Sequence, residues 1–321
     1  MKTLAPIGGT TTDNLMSQNS LYERLNTLDT EQRNLHTMDI DTADAVEIVR
    51  KINEEDQKVA QQISKKLPVI GEAVDAISQS FSVGGRLLYF GAGTSGRLGV
   101  LDASECPPTF GTHPEQVQGF IAGGKEAMFV AQEGAEDSEE EGRSEIERHS
   151  ITDLDVVCGL AASGRTPYVL GVLKEAQEHG IKTIFVTTVP ASQITVSADF
   201  IIDVPVGPEV VMGSTRMKSG TAQKMVLNML TTGAMIRQGK VYENVMVDLL
   251  LTNKKLVERA KRIIATFTNL NYEETTKLLE DAENHVKTAI VMGKLGLPKQ
   301  EAKKLLRAHN GFIRPALEAG S

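Results

Sequence analysis

Between residues 87 and 206 short apolar runs recur along the chain, at 87–90, 117–122, 155–160, 182–187 and 200–206. Each run is continuous rather than alternating, the pattern of a strand buried on both faces. The spacers carry helical periodicity. In 168–179, for example, Val169, Leu170, Val172, Leu173 and Ala176 are apolar. Continuous strands alternating with helices predict an α/β fold with a parallel sheet covered on both faces. Ligands in such sheets sit beyond the carboxyl ends of the strands. The turns after Phe90 and after Leu160 therefore fall on one functional edge.

The flanks read as helices. Asp41 or Thr42 is placed to cap a helix through Ala45, Val46, Ile48 and Val49, with a turn or cap at 53–56. A second helix follows through Val59, Ile63, Leu67, Val74, Ile77 and Phe81, kinked or split by Pro68. After the sheet, Val226, Leu227, Met229, Leu230, Ala234 and Met235 suit a long, largely buried helix from Thr221, its methionines filling core. Residues 245–251 and 256–267 read as an amphipathic helix pair. Near residue 268 the text turns lysine- and glutamate-rich, with leucines at helical spacing, a break at Gly293 or Gly296 and a start at Pro298. These features predict a bundle of about three helices. The expected organisation is a flexible arm at 1–20, a main domain with N-terminal helices at 21–267, and a small helical, UBA-like domain at 268–321.

A length of 321 residues allows about two domains and a substantial core. The net charge of −8 argues against nucleic acid or an anionic membrane as the main partner. An anionic substrate must then be held by local donors. Two cysteines, Cys106 and Cys158, make no disulfide framework, which points to a reducing cytoplasm. The apolar runs are too short to span a membrane, and no basic region followed by an apolar core marks a secretory signal.

The candidate chemistry centres on 87–108, LLYFGAGTSGRLGVLDASECPP. A buried strand, a glycine turn and a helix start make an anion site, because the first N–H groups of a helix lack internal partners. Gly91, Gly93 and Gly96 fit the dinucleotide pattern G-x-G-x-x-G, but that pattern expects an acid ~20 positions on. The next strand ends instead in Gly123-Gly124-Lys125. Thr94 and Ser95 bring hydroxyls to the turn, which suits a phosphate monoester better than a pyrophosphate. A second Ser-Gly-Arg turn, Ser163-Gly164-Arg165-Thr166, also follows an apolar strand and precedes a helix. Two such turns can converge on one phosphate. A third hydroxyl turn, Gly213-Ser214-Thr215, stands beside Arg216 and Lys218.

Two acidic clusters accompany these turns, Asp102 with Glu105, and Glu133, Glu136 and Asp137. Glu105 precedes Cys106-Pro107-Pro108, where the helix is expected to stop and the backbone to be stiff. A rigid carboxylate near an anion site is a candidate acid or base. Glu133 and Glu136 are spaced to share one helical face. The six histidines show no ligand spacing, and Gly-x-Ser-x-Gly is absent.

The segments FGAGTSGRLGVLDASECPPTFG, IAGG, EGAEDSEEEG, AASGRTPYVLG, STRMKSGTAQKMVLNMLTTG and NGFIRPALE closely resemble the N-acetylmuramic acid 6-phosphate etherases, relatives of the vertebrate glucokinase regulatory protein. The resemblance runs from about residue 25 to 318. It implies a sugar-isomerase (SIS) fold, a three-layer sandwich with a five-stranded parallel sheet. It implies cleavage of the lactyl ether of N-acetylmuramate 6-phosphate to N-acetylglucosamine 6-phosphate and D-lactate, in cell-wall sugar recycling. It further implies a homodimer with no metal or nucleotide cofactor. The family's catalytic glutamates fall on Glu105 and Glu136. Phosphate is expected at Thr94, Ser95, Ser163 and Thr166 with the N–H groups of Gly96 and Gly164, and sugar contacts at Ser214, Thr215 and Lys218. Arg97 and Arg165 are open between phosphate clamps and structural pairs. The competing classes are a non-catalytic phosphosugar sensor and an aldose–ketose isomerase.

Overall fold

The computed structural model describes residues 28–251 and 253–320, so the arm expected at 1–20 lies outside the described residues. Helix α1 (Ala45–Ser64) starts at Asp44, whose side chain accepts the Glu47 N–H at 2.9 Å. Asp44 supplies this bond, and Asp41 and Thr42 lie in the short 3-10 turn before it. The polar text at 53–56 stays helical because Asn53 and Glu54 face solvent while Glu55 joins Val59 and Ile63 on the buried face. Pro68 does split the pattern. It occupies the first turn of α2 (Leu67–Ser82), where its missing N–H costs nothing.

The βα alternation follows as β1 (Leu87–Gly91), α3 (Gly93–Phe110), β2 (Val117–Ile121), α4 (Glu139–Arg148), β3 (Val156–Leu160), α5 (Pro167–Glu178), β4 (Lys182–Thr187), β5 (Phe200–Asp203) and α6 (Lys218–Arg237). The five strands form one parallel sheet in the order β2-β1-β3-β4-β5. Leu87, Tyr89 and Cys158 pack toward α1, α2, α3 and α6. Leu88, Phe90 and Val157 pack toward α4 and α5. Successive residues of the central strands β1, β3 and β4 serve two cores, which is why these strands read as unbroken apolar text.

Helix α3 departs from expectation. It runs through Pro107 and Pro108 to Phe110 and ends at Gly111, in the left-handed region, whose N–H reaches the Pro107 carbonyl at 2.9 Å. Prolines in a last turn forfeit N–H bonds to the preceding turn. The burial of Cys106 and Phe110 offsets that loss by anchoring the helix end in the core.

Residues 245–251 are not helical. A hairpin of β6 (Val241–Tyr242) and β7 (Val245–Met246) leads into a loop. There Asp248 pairs with Lys240 at 3.2 Å and Lys287 at 2.6 Å. The second hydrophobic cluster gathers Tyr242, Val247 and Leu249 with α7 (Lys254–Thr268), α8 (Tyr272–Asp281), α9 (Val286–Leu295), α10 (Lys299–Ala308) and α11 (Ile313–Gly320). Its packing thus begins before the change of composition at 268. Among the described residues four helices follow that point, where about three were expected. Among the described residues no helix is long and apolar enough to cross a membrane.

Candidate active site

The site is built from three turns at the carboxyl edge of the sheet. In the first, α3 opens directly after β1, and its first intrahelical bond runs from the Gly96 N–H to the Ala92 carbonyl at 3.2 Å. The N–H groups of Gly93, Thr94 and Ser95 precede that bond and have no place in the helical ladder. Gly96 itself has a packing role. A Cβ there would stand 2.7 Å from both the Gly91 carbonyl oxygen and Ile121 Cγ1. Its N–H is used inside the helix rather than offered to phosphate.

The second turn, 161–166, reverses at Gly164 with φ +71°. The Gly164 N–H reaches the Ala161 carbonyl at 3.1 Å, so this expected donor is also used locally. Ser163 Oγ accepts from the Arg165 N–H at 3.4 Å. Thr166 is the N-cap residue of α5 and Pro167 its first residue. Thr188 Oγ1 donates to the Ala162 carbonyl at 3.0 Å and fixes the turn against the next strand end. The third turn lies in 207–217. The buried Glu209 carboxylate accepts the N–H groups of Lys218 at 3.0 Å and Ser219 at 2.9 Å, anchoring the turn to α6. The Gly213 N–H donates to the Thr30 carbonyl at 3.2 Å.

Where these turns meet, a cavity of about 510 Å³ opens. Thr94, Ser95, Ser163, Arg165, Thr166 and Thr215 line it, as do Glu136, Asp137, Glu31 and Leu28. Arg165 Nε is buried and has no hydrogen-bond partner. Arg165 itself lines the cavity, and a guanidinium with donors unspent can hold an anion there. Arg97 answers the question left open differently. Its Nε and Nη2 donate to the carbonyls of Met128 at 3.0 Å and Ala127 at 2.6 Å, a structural use. Ser95 Oγ donates to Gln223 Oε1 at 2.8 Å, so its hydroxyl proton is spent there and its backbone N–H is the donor it has left for an anion.

Glu136 reaches the cavity from a turn rather than a helix. Gly134, at φ +76°, breaks the helical spacing expected of Glu133 and Glu136. The Tyr168 N–H donates to the Glu136 carbonyl at 3.0 Å, tying this turn to the start of α5. Glu105 is placed elsewhere. It is exposed on α3, ten residues beyond Ser95 and so about 15 Å along the helix axis. Its neighbours are structural. Asp102 accepts from Tyr89 Oη at 3.1 Å and Thr231 Oγ1 at 3.2 Å, and burial raises its carboxyl. Burial, with the Asp102 and Glu105 charges, pushes the Cys106 thiol up to about 12.

Ser214 does not line the cavity. Lys218 does not either. It is 1% exposed, with Nζ donating to Glu55 Oε2 at 2.6 Å and the Val206 carbonyl at 2.9 Å. Sequence reasoning missed Glu31, which stands in polar text without a motif. Among the described residues no group of three or more His, Cys, Asp and Glu is gathered to hold a metal ion.

The family model of the glucokinase regulatory protein N-terminal SIS domain matches residues 69–177, and that of the SIS domain matches 138–233. The N-acetylmuramic acid 6-phosphate etherase of Salinibacter ruber (strain DSM 13855 / M31) is 54% identical over 300 residues, 93% of this chain and 96% of that one. The etherase of Clostridioides difficile (strain 630) is 52% identical over 299 residues, 93% of this chain and 98% of that one. The chain belongs to the N-acetylmuramic acid 6-phosphate etherase family. Its parallel sheet with helices on both faces is the SIS architecture expected of that family. A phosphoheptose isomerase from Francisella tularensis is similar in structure with a TM-score of 0.45 and 15% identity, covering 60% of this chain and 100% of that one.

Proposed function

We propose that this member of the etherase family cleaves the D-lactyl ether of N-acetylmuramate 6-phosphate to N-acetylglucosamine 6-phosphate and D-lactate, in the cytoplasm, in cell-wall amino-sugar recycling. The observation that carries the reading is one cavity lined together by Arg165, Ser163, Thr166, the start of α3 and Glu136. Phosphate is assigned to Thr94, Ser95, Ser163, Arg165 and Thr166. Thr215 faces the sugar.

A plain ether is a poor leaving group, so the sugar must first be activated. Ring opening exposes a C1 aldehyde and acidifies the proton on C2. A carboxylate removes that proton, the C3–O bond breaks, and an acid protonates the departing lactate oxygen. Water then adds to the α,β-unsaturated aldehyde at C3, and C2 regains a proton. This sequence needs acid–base groups at C2 and C3. Glu105 is assigned to the elimination and Glu136 to the addition of water.

One protomer does not bring both glutamates to one sugar, since Glu136 lines the cavity and Glu105 stands outside it on α3. The reading therefore takes a homodimer in which Glu105 serves the partner's cavity. Mixing Glu105→Gln and Glu136→Gln chains tests this. Each variant alone should be inactive, whereas equal mixing should restore about a quarter of wild-type activity through one intact site in each heterodimer. Heterodimers that stay inactive place both glutamates in one protomer and refute the shared site.

The activity itself is tested by lactate release in H₂¹⁸O. Unlabelled lactate with label at O3 of the sugar is the expected outcome. No lactate, with substrate still raising the unfolding temperature, turns the reading to a phosphosugar sensor.

A further inference from the structure

We infer that Glu31 is a specificity-determining residue whose carboxylate accepts hydrogen bonds from hydroxyl groups of the bound sugar. The inference rests on the phosphosugar reading above and goes beyond it, because no motif marks this residue. Glu31 lines the same cavity as Thr94, Ser163, Arg165 and Glu136. Its Oε2 lies close to Gly213, where a Cβ would stand 3.6 Å from it. Among the described residues Glu31 enters no ion pair.

The turn that carries it is stapled to the third site turn. The Glu31 N–H reaches the Leu28 carbonyl at 3.0 Å, and the neighbouring Thr30 is buried and accepts from Gly213. Asn34 Nδ2 donates to the Pro208 carbonyl at 3.2 Å, and Thr37 Oγ1 to that of Val210 at 2.9 Å. An N-terminal segment fixed this closely to the 207–217 loop holds its carboxylate at a set place in the cavity.

Charge makes the placement informative. A carboxylate beside an anion site repels the phosphate. It is a liability there unless it makes contacts of its own. The donors a phosphosugar offers besides its phosphate are hydroxyl and amide hydrogens, and an ionised carboxylate accepts two at once. A site built to receive such donors discriminates strongly against ligands that lack them.

Two probes separate this role from a structural one, because the two effects of the charge have opposite sign. N-acetylglucosamine 6-phosphate reads phosphate and sugar together, and inorganic phosphate reads the phosphate end alone. By calorimetry, Glu31→Ala should weaken the sugar phosphate about 10- to 100-fold, the span of a hydrogen bond to a charged group. It should leave inorganic phosphate unchanged or slightly tighter. Glu31→Gln, which keeps one acceptor oxygen, should recover part of the loss, and in turnover the effect should fall on KM more than on kcat. Equal weakening of both probes means the turn was merely disturbed, and an unchanged sugar phosphate means that Glu31 touches no sugar. Either overturns the inference. Wild-type lactate release separates its failure from failure of the etherase reading.

Discussion

Replacing Lys218 by Met removes a cation from one of the most buried positions in the chain. Lys218 is 1% exposed and Glu55 is 3% exposed, so the pair is cut off from water. Burial alone would raise Glu55, but the ammonium groups of Lys218 and Lys58 bring its carboxyl down to about 2. Against an ordinary value of 4.5, a depression of that size corresponds to about 3 kcal/mol of native-state stability. Breaking one half of a buried pair typically costs 3–5 kcal/mol, a large share of the 5–15 kcal/mol that holds a domain folded. Lys58 still pairs with Glu55 in the variant, so urea unfolding of Lys218→Met should lose about 3 kcal/mol, the lower end of that range. The double variant Glu55→Leu, Lys218→Met removes both charges and should regain most of that loss. The sign of the pH dependence follows from the depressed pKa. The Glu55 contribution is fully present above pH 4.5 and is lost as pH falls from 4.5 toward 2. Turnover per folded molecule should change little, because Lys218 does not line the cavity. A Lys218→Met protein of near-normal stability but with a tenfold higher KM would refute this reasoning and return Lys218 to the sugar.

Other perturbations test the site more directly. Ser163→Ala should raise KM several-fold with the unfolding temperature nearly unchanged, since Ser163 Oγ makes only a long contact with the Arg165 N–H; an unchanged KM removes Ser163 from the phosphate site. Glu136→Gln should lower kcat by roughly 10²–10⁴ while the product still binds, as stopped assays and calorimetry will show. Gly96→Ala should destabilise the fold by about 1–3 kcal/mol, because backbone at 2.7 Å cannot yield to a methyl group. Cys106 should resist alkylation at pH 8 in the native protein, its thiol being held near 12 mainly by burial; rapid labelling shows that the end of α3 opens.

What was legible followed local rules. Five apolar runs became five parallel strands, and the three central ones, β1, β3 and β4, read as continuous because both their faces are covered. The two Ser-Gly-Arg turns reached one cavity because strand ends of a parallel sheet share an edge. The failures arose where tertiary contacts outweighed local preference. Pro107 and Pro108 stayed helical because Cys106 and Phe110 anchor the helix end. The run at 245–251 looked helical by apolar content, yet Asp248 is drawn to Lys240 and Lys287, cations contributed from outside the run. Lys218 was expected at the sugar and Glu31 was not singled out, and both outcomes have one reason. Whether a charge meets solvent, ligand or counter-charge depends on residues remote in sequence, here Glu55 for Lys218 and Gly213 for Glu31.

The composition of the cavity also bears on how a chain of net charge −8 handles an anion that must release a second anion. The long-range field does not attract the substrate. On the proposed assignment, capture falls to groups that act only at contact, namely the N–H groups at the start of α3, the hydroxyls of Ser163 and Thr166, and Arg165, all at the cavity. Glu31, Glu136 and Asp137 bring negative charge to the same cavity. A substrate with phosphate among the donors keeps its neutral hydroxyls for the carboxylates, which sets its direction. The lactyl carboxylate is already charged in the substrate, and once the ether is cleaved lactate stands among carboxylates without the phosphate to hold it. The same arrangement that orients the substrate thus favours departure of the acid, and raising ionic strength, which screens both effects, should slow lactate release more than it weakens phosphate binding.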